Sequence, residues 1–260
     1  MSTNVLWDLS IDKVLAEIKQ GRRLDGRKFE ETRKVEINHE VSKNADGAAR
    51  VKFGQTDVVV GTKLGVEAPY PDSPDKGTIS VGMELLAIAS PKFEAGPPRP
   101  DAIELSRVVD RGIRESKAID FNELCITEGE KCWVVFIDGY AINDDGNLFD
   151  ACALAGISAV LRTRMPKLED GKMVKGEYAG QLKVHRKPVL TTIAKVGNDL
   201  LVDPQMYEEA AMSARLSIST TEDDYICAMQ KGLGGSFTGA EVNRCVELAF
   251  KNAKSLRKML

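Results

Sequence analysis

Arg107, Arg111 and Arg114 are the residues of this chain whose type and spacing point most directly to chemistry. At about 100° per residue, positions i, i+4 and i+7 share one side of a helix with Glu104, while Leu105, Val109 and Ile113 fall on the other. Such a row, about one and a half turns long, can meet successive phosphates of a single nucleic-acid strand. The same spacing offers ion pairs: Arg107 with Asp110, Asp110 with Arg114, and Arg111 with Glu115. From spacing alone a salt-bridged, solvated face is the plainer reading. The Gly96-Pro97-Pro98-Arg99-Pro100 stretch forbids an earlier helix, and Asp101 is placed to cap one.

Other groups carry weaker signals. Asp144, Asp145 and Asp150, or Glu208 with Glu209, have the chemistry to hold Mg²⁺ or move protons, but read more simply as a turn with a cap and as a solvated pair. Gly232 to Gly239 precedes a helix, as phosphate loops do, yet lacks the Lys-Ser/Thr ending and reads as a glycine turn. His39 and His185, the two histidines, have no Cys or His at ligand spacing, so no metal site is expected. No Ser/His/Asp arrangement can be assembled from the sequence.

These residues need a scaffold, and the composition supplies one. The chain has 260 residues, 43% hydrophobic and 29% charged, enough for one large or two small globular domains. Its net charge of −3 means that any nucleic-acid contact must come from a local patch. The five cysteines form no CxxC pair, which predicts buried thiols in a reducing cytoplasm. No run approaches the roughly 18 apolar residues of a membrane span, so no membrane association is expected.

Along the chain, periodicity predicts an N-terminal docking helix over 10–20, capped by Ser10, and a charged turn feeding a strand near Lys34 to Asn38. A strand pair follows at Ala48 to Phe53 and Asp57 to Val66, with Val58, Val59 and Val60 marking a buried central strand. Further strands are predicted at Thr78 to Ile88 and Lys131 to Ile142. Between Leu148 and Arg164 lies an Ala-rich, nearly all-apolar helix that must be buried. Residues 166–188 read as a polar surface excursion. Four short strands then lead to a last helix from Gly239, with Thr238 and Glu241 as its capping box. The fold class is α/β (α+β): two mixed sheet-and-helix halves, approximately 21–165 and 186–260, packed as one body.

Several of these stretches taken together carry a family resemblance. GRRLDGR at Gly21 to Arg27, FGQTDVVVGTKLGV at Phe53 to Val66, AIELSRVVDRGIRES, VLTTIAK and LLVDP resemble the RNase PH-like subunits of the RNA exosome over nearly the whole chain. AGPPRPDAIELSRVVDRGIRES and LFDACALAGISAVL are most similar in character to the non-catalytic ring subunit of the archaeal exosome. The resemblance implies an RNase PH-like fold and a six-membered ring holding three copies each of this chain and a catalytic paralogue. It also implies RNA-binding cap proteins on one face of the ring, single-stranded RNA in the channel, and phosphorolytic 3′ to 5′ decay.

Two departures from the active members bear on catalysis. Their phosphate-binding turn carries a hydroxyl and an arginine before the buried helix, whereas this chain has Gly146-Asn147-Leu148-Phe149-Asp150, and Asp150 would repel phosphate. Their paired aspartates, which position a metal ion and the reacting phosphates, fall by count from Asp203 at Glu209 and Arg215. An arginine there cannot bind a cation. The expectation is therefore a catalytically silent subunit with no catalytic residues, metal or cofactor of its own, contributing Arg107, Arg111 and Arg114 to RNA. The alternative is a phosphate-dependent 3′–5′ exoribonuclease with a rearranged site. The roles of Arg22, Arg23, Arg27 and Arg99 stay open.

Overall fold

Strand β3 (Thr56–Glu67) lies in the middle of the larger sheet, as its β-branched run requires, with Val58 and Val60 at 0% exposure and Val59 on the half-covered face. A two-residue turn at Gly54-Gln55 joins it antiparallel to β2 (Gly47–Phe53), which pairs in turn with β1 (Val35–Asn38). On its other side β3 pairs with β6 (Lys131–Asn143), and β4 (Thr78–Leu85) lies parallel to β6. The short β5 (Cys125–Thr127) also pairs with β6, completing six strands. These coordinates are a computed structural model and describe residues 5–169 and 171–260.

The second sheet has the order β10-β9-β11-β12, formed by β9 (Val189–Val196), β10 (Asp199–Val202), β11 (Ala214–Thr220) and β12 (Ile226–Gly232). Between the sheets runs a helix, Leu148–Val160, packed on β2 and β3 on one side and β9 on the other. Its all-round apolarity follows from that position, because no face meets water. Leu154 and Ile157 are fully buried, each stabilising the fold by about 1.5–3 kcal/mol.

The helices are α1 (Val5–Lys19), α2 (Pro100–Glu115), α3 (Leu148–Val160), α4 (Met206–Ala211) and α5 (Gly239–Leu256). α1 runs through Ser10, so the predicted cap is an interior residue and the helix begins earlier than its apolar periodicity indicated. Val14 and Ile18 dock it on Ala194, Val196 and Leu201 of the second sheet. α5 covers that sheet's other face through Cys245, Leu248 and Ala249, and its capping box forms as expected: Glu241 N donates to Thr238 Oγ1 at 3.3 Å and Thr238 N to Glu241 Oε2 at 2.7 Å.

Most of the predicted surface excursion is a β-hairpin, β7 (Arg164–Glu169) with β8 (Lys172–Gln181); residue 170 lies outside the described residues. Two register shifts around Pro166 break the alternation that would have shown it in the sequence, while Met165 and Leu168 pack on the main core.

Candidate functional site

α2 has its cap two residues before the predicted one at Asp101. Arg99 is its extended N-cap and Pro100 takes the first turn, so Asp101 lies inside the helix and no side chain caps it. Leu105, Val109 and Ile113 are buried as the periodicity predicts, joined by Ala102, Val108 and Gly112. On the outer side, Arg107, Arg111 and Arg114 line a single cleft of about 340 Å³ with Val81, Ser106, Asp110 and Glu115.

The three arginines differ in freedom. Arg114 is locked: Nε and Nη2 donate to the Asp110 carboxylate at 3.0 and 2.8 Å, Nη2 also reaches Ile79 O at 3.1 Å, and the guanidinium lies 5.3 Å from the Phe121 ring centre. The Asp110 hydrogen bonds raise its pKa above the ordinary arginine value. Arg111 has one neutral partner, Gln230 Oε1 at 2.9 Å on β12. Arg107 is exposed and makes no ion pair among the described residues. Of the three ion pairs the spacing offered, Asp110 with Arg114 alone forms among the described residues. Glu104 turns instead to Arg215, 2.6 Å from Nη2.

A second concentration of charge lies where the two sheets meet. Asp203, fully buried at a left-handed φ of 52°, accepts from Arg33 Nε at 2.9 Å, Arg33 Nη2 at 2.7 Å, Arg27 Nη1 at 3.0 Å and Asn147 Nδ2 at 2.8 Å. Burial by itself would raise its pKa; the Arg33 hydrogen bonds outweigh this and hold it below the usual carboxylate value. Arg23 clamps Glu208 through bonds of 2.8 and 2.5 Å and donates to Val202 O and Asp203 O. Thus Arg23 and Arg27 are internal struts, while Arg22 is an exposed partner of Glu17 and Arg99 an exposed partner of Glu94. Arg33, not singled out from the sequence, is the principal partner of Asp203. Its partner lies 170 residues away, a separation that no local pattern reveals.

The start of α3 completes this region. Gly146, at φ 83°, passes so close to the chain ahead of α4 that a Cβ would lie 2.5 Å from Gln205 C, and Asn147 follows in the left-handed region at φ 58°. The Asn147 backbone N–H donates to Glu209 Oε1 at 2.8 Å. Asp150, 1% exposed, accepts from Asn147 Nδ2 at 2.9 Å and Thr192 N at 3.0 Å on Oδ2, while Oδ1 is buried without a partner among the described residues. Loss of water pushes both Asp150 and Glu209 up to about 7.

Glu208 and Glu209 are therefore not the solvated pair their adjacency suggested. One is matched by Arg23, and the other sits on a helix terminus that favours negative charge. Asp144 keeps the expected turn role, accepting from Gly146 N at 3.0 Å. Arg215, 7% exposed, stacks 3.8 Å from the Phe149 ring centre. Gly232 makes room for it, since a Cβ there would lie 2.6 Å from Nη2. Asn147, Asp150, Glu209 and Arg215 thus converge at the start of α3. No group of three or more His, Cys, Asp or Glu side chains is placed to hold a metal ion among the described residues. Gly232 to Gly239 is the connection from β12 to α5, and His185 is a surface partner of Glu123 at 3.4 Å.

Comparison with known proteins agrees with this architecture. The model of domain 1 of the 3′ exoribonuclease family (RNase PH) matches residues 31–166, and that of domain 2 matches residues 187–252. An exosome complex component Rrp42 of Methanopyrus kandleri is 47% identical over 261 residues, covering 99% of this chain and 98% of the relative. A solved chain from an Archaeoglobus fulgidus exosome with RNA bound to the active site superposes with a TM-score of 0.93 at 45% identity, covering 98% of this chain and 99% of the other. A chain of an archaeal exosome core gives a TM-score of 0.90 at 43% identity, covering 100% and 99%.

Proposed function

We propose a division of labour for this chain, which belongs to the RNase PH family of 3′ exoribonucleases and, within it, to the archaeal exosome ring subunits: it holds single-stranded RNA while a paralogue breaks the bond. The observation that carries the reading is the hydrogen bond from Asn147 N–H to Glu209. In phosphorolysis, an oxygen of inorganic phosphate attacks the phosphorus of the terminal phosphodiester, the bond to the 3′ oxygen of the shortened strand breaks, and the last nucleotide is released as a nucleoside diphosphate. The attacking oxyanion therefore needs positive or donor groups to receive it. A free helix N-terminus is suited to that task. Here it is filled by the chain's own carboxylate, with Asp150 buried behind it and Arg215 turned to Glu104. A phosphate entering this place would meet acids in place of donors.

The α2 cleft has the opposite character, with exposed guanidinium groups and open volume. We assign Arg107, Arg111 and Arg114 to RNA phosphates, beside an active site that the catalytic paralogue supplies across the subunit interface. The first two are direct partners, and Arg114, held by Asp110, acts through the N–H groups that pair leaves over. Three copies of each chain would close the ring, with RNA-binding cap proteins on one face. A cytoplasmic location fits the five cysteines, which are all free thiols.

The test is to incubate 5′-labelled single-stranded RNA with the purified chain, with its paralogue and with both, each with and without inorganic phosphate. The expected result is no decay by this chain and phosphate-dependent decay by the mixture. Nucleoside diphosphate release by this chain alone would establish the alternative, an active enzyme with a rearranged site.

A further inference from the structure

α3 has a second end, about 20 Å from Asn147. There the turn after α3, the β1–β2 connection and the start of β7 enclose a cleft of about 370 Å³ bordered by His39, Asp46, Arg162 and Arg164. Arg162 is exposed, and its side chain makes no hydrogen bond or ion pair among the described residues. Arg164 is oriented from behind: Nη2 donates to Ala45 O at 3.4 Å and Tyr178 Oη at 3.2 Å, and the guanidinium stacks 3.9 Å from the Tyr178 ring centre. These contacts fix its plane and leave Nη1 without a partner among the described residues.

The acid in the cleft does not cancel this charge. Asp46 Oδ1 accepts from Lys63 Nζ at 3.1 Å and Tyr178 Oη at 3.3 Å, and Oδ2 accepts from Leu64 N at 2.9 Å, so its carboxylate is already matched. His39 Nδ1 is buried and has no hydrogen-bond partner among the described residues. Burial, together with the nearby Arg162 guanidinium, outweighs a hydrogen bond with the Ala48 backbone and holds this imidazole below its ordinary pKa. Two arginines just past a helix C-terminus complement its dipole, which accounts for their presence. It does not account for free N–H groups on both, bordering one cleft beside an imidazole whose Nδ1 has no partner among the described residues.

We propose that this cleft binds a phosphate-type oxyanion between the Arg162 and Arg164 guanidinium groups, supplied either as inorganic phosphate or as a phosphodiester of single-stranded RNA. One guanidinium fork held in plane, Arg164, beside one left unpaired among the described residues, Arg162, suits a tetrahedral oxyanion. Bound negative charge also stabilises the His39 imidazolium, which makes that residue the reporter. The site is separate from the α2 cleft, so its failure leaves the division of labour untouched.

The chain has two histidines, so an NMR titration of the imidazoles of the full chain resolves both. Against chloride at matched ionic strength, inorganic phosphate or a short RNA without terminal phosphates is expected to raise the His39 pKa by about half a unit or more. His185, a surface partner of Glu123 that does not border this cleft, is the internal control. Arg162→Ala abolishes the shift and Arg162→Lys keeps part of it. A response to phosphate alone assigns the site to the free ion, and a response to RNA assigns it to the strand. Silence to both probes, equal movement of both histidines, or a shift indifferent to Arg162→Ala overturns the proposal.

Discussion

The α2 cleft and the start of α3 contain the same kinds of charged side chain and treat them in opposite ways. In the cleft, among the described residues, Arg107 has no ion pair, Arg111 has one neutral partner and Arg114 alone is bound to an acid. At the α3 start, Asp203 collects two arginines and an asparagine, Arg23 grips Glu208, and Glu209 occupies a backbone donor. The contrast teaches that charge identity alone does not mark a binding site. A buried charge answered by its neighbours holds the protein together, and an exposed charge left unanswered is available to a ligand.

The strongest way to break this comparison is at Asp203. Asp203→Ala strips Arg33 and Asn147 of their shared buried acceptor and leaves Arg33 the more exposed Asp145 carboxylate at 3.3 Å, and removing one partner of a buried pair costs about 3–5 kcal/mol. Chemical denaturation should show that loss, while the fraction still folded binds RNA with unchanged affinity. Weakened RNA binding by the folded fraction would mean that the two regions are coupled.

A smaller effect sharpens the account of the α3 start. Asp150 titrates near 7 when folded and near 3.8 when unfolded, so the folded state binds the extra proton between those values and stability falls as pH rises through that window. Asp150→Asn keeps an oxygen for Thr192 N and removes the titration. Thermal unfolding of the variant should lose about 2 kcal/mol of the wild-type difference between pH 5 and pH 7. An unaltered pH dependence would show that Asp150 is ionised throughout.

The two regions were not equally legible in the sequence. Both faces of α2 follow from the helical period, because Leu105, Val109 and Ile113 are held by packing that repeats locally. α3 was legible as a buried helix from its apolarity, and α5 from Thr238 and Glu241. The polar struts were not, since Arg23 meets Glu208 across 185 residues and neither residue has an informative local setting. Glu208 and Glu209 looked like surface for the same reason. The correspondence of Asn147, Asp150, Glu209 and Arg215 came from the family resemblance. What the structure adds is that Glu209 itself fills the helix terminus. The β7–β8 hairpin was obscured by its bulges, and Asp101 was displaced as a cap because Pro100 could itself begin the helix.

The central claim is tested most directly by RNA affinity of the assembled ring carrying Arg107→Glu, Arg111→Glu and Arg114→Glu together. The account predicts an intact ring that binds single-stranded RNA on the order of 100-fold more weakly, with a shallower dependence of affinity on salt. Unchanged affinity and salt dependence in an intact ring would contradict it, and α2 would then be a solvated face.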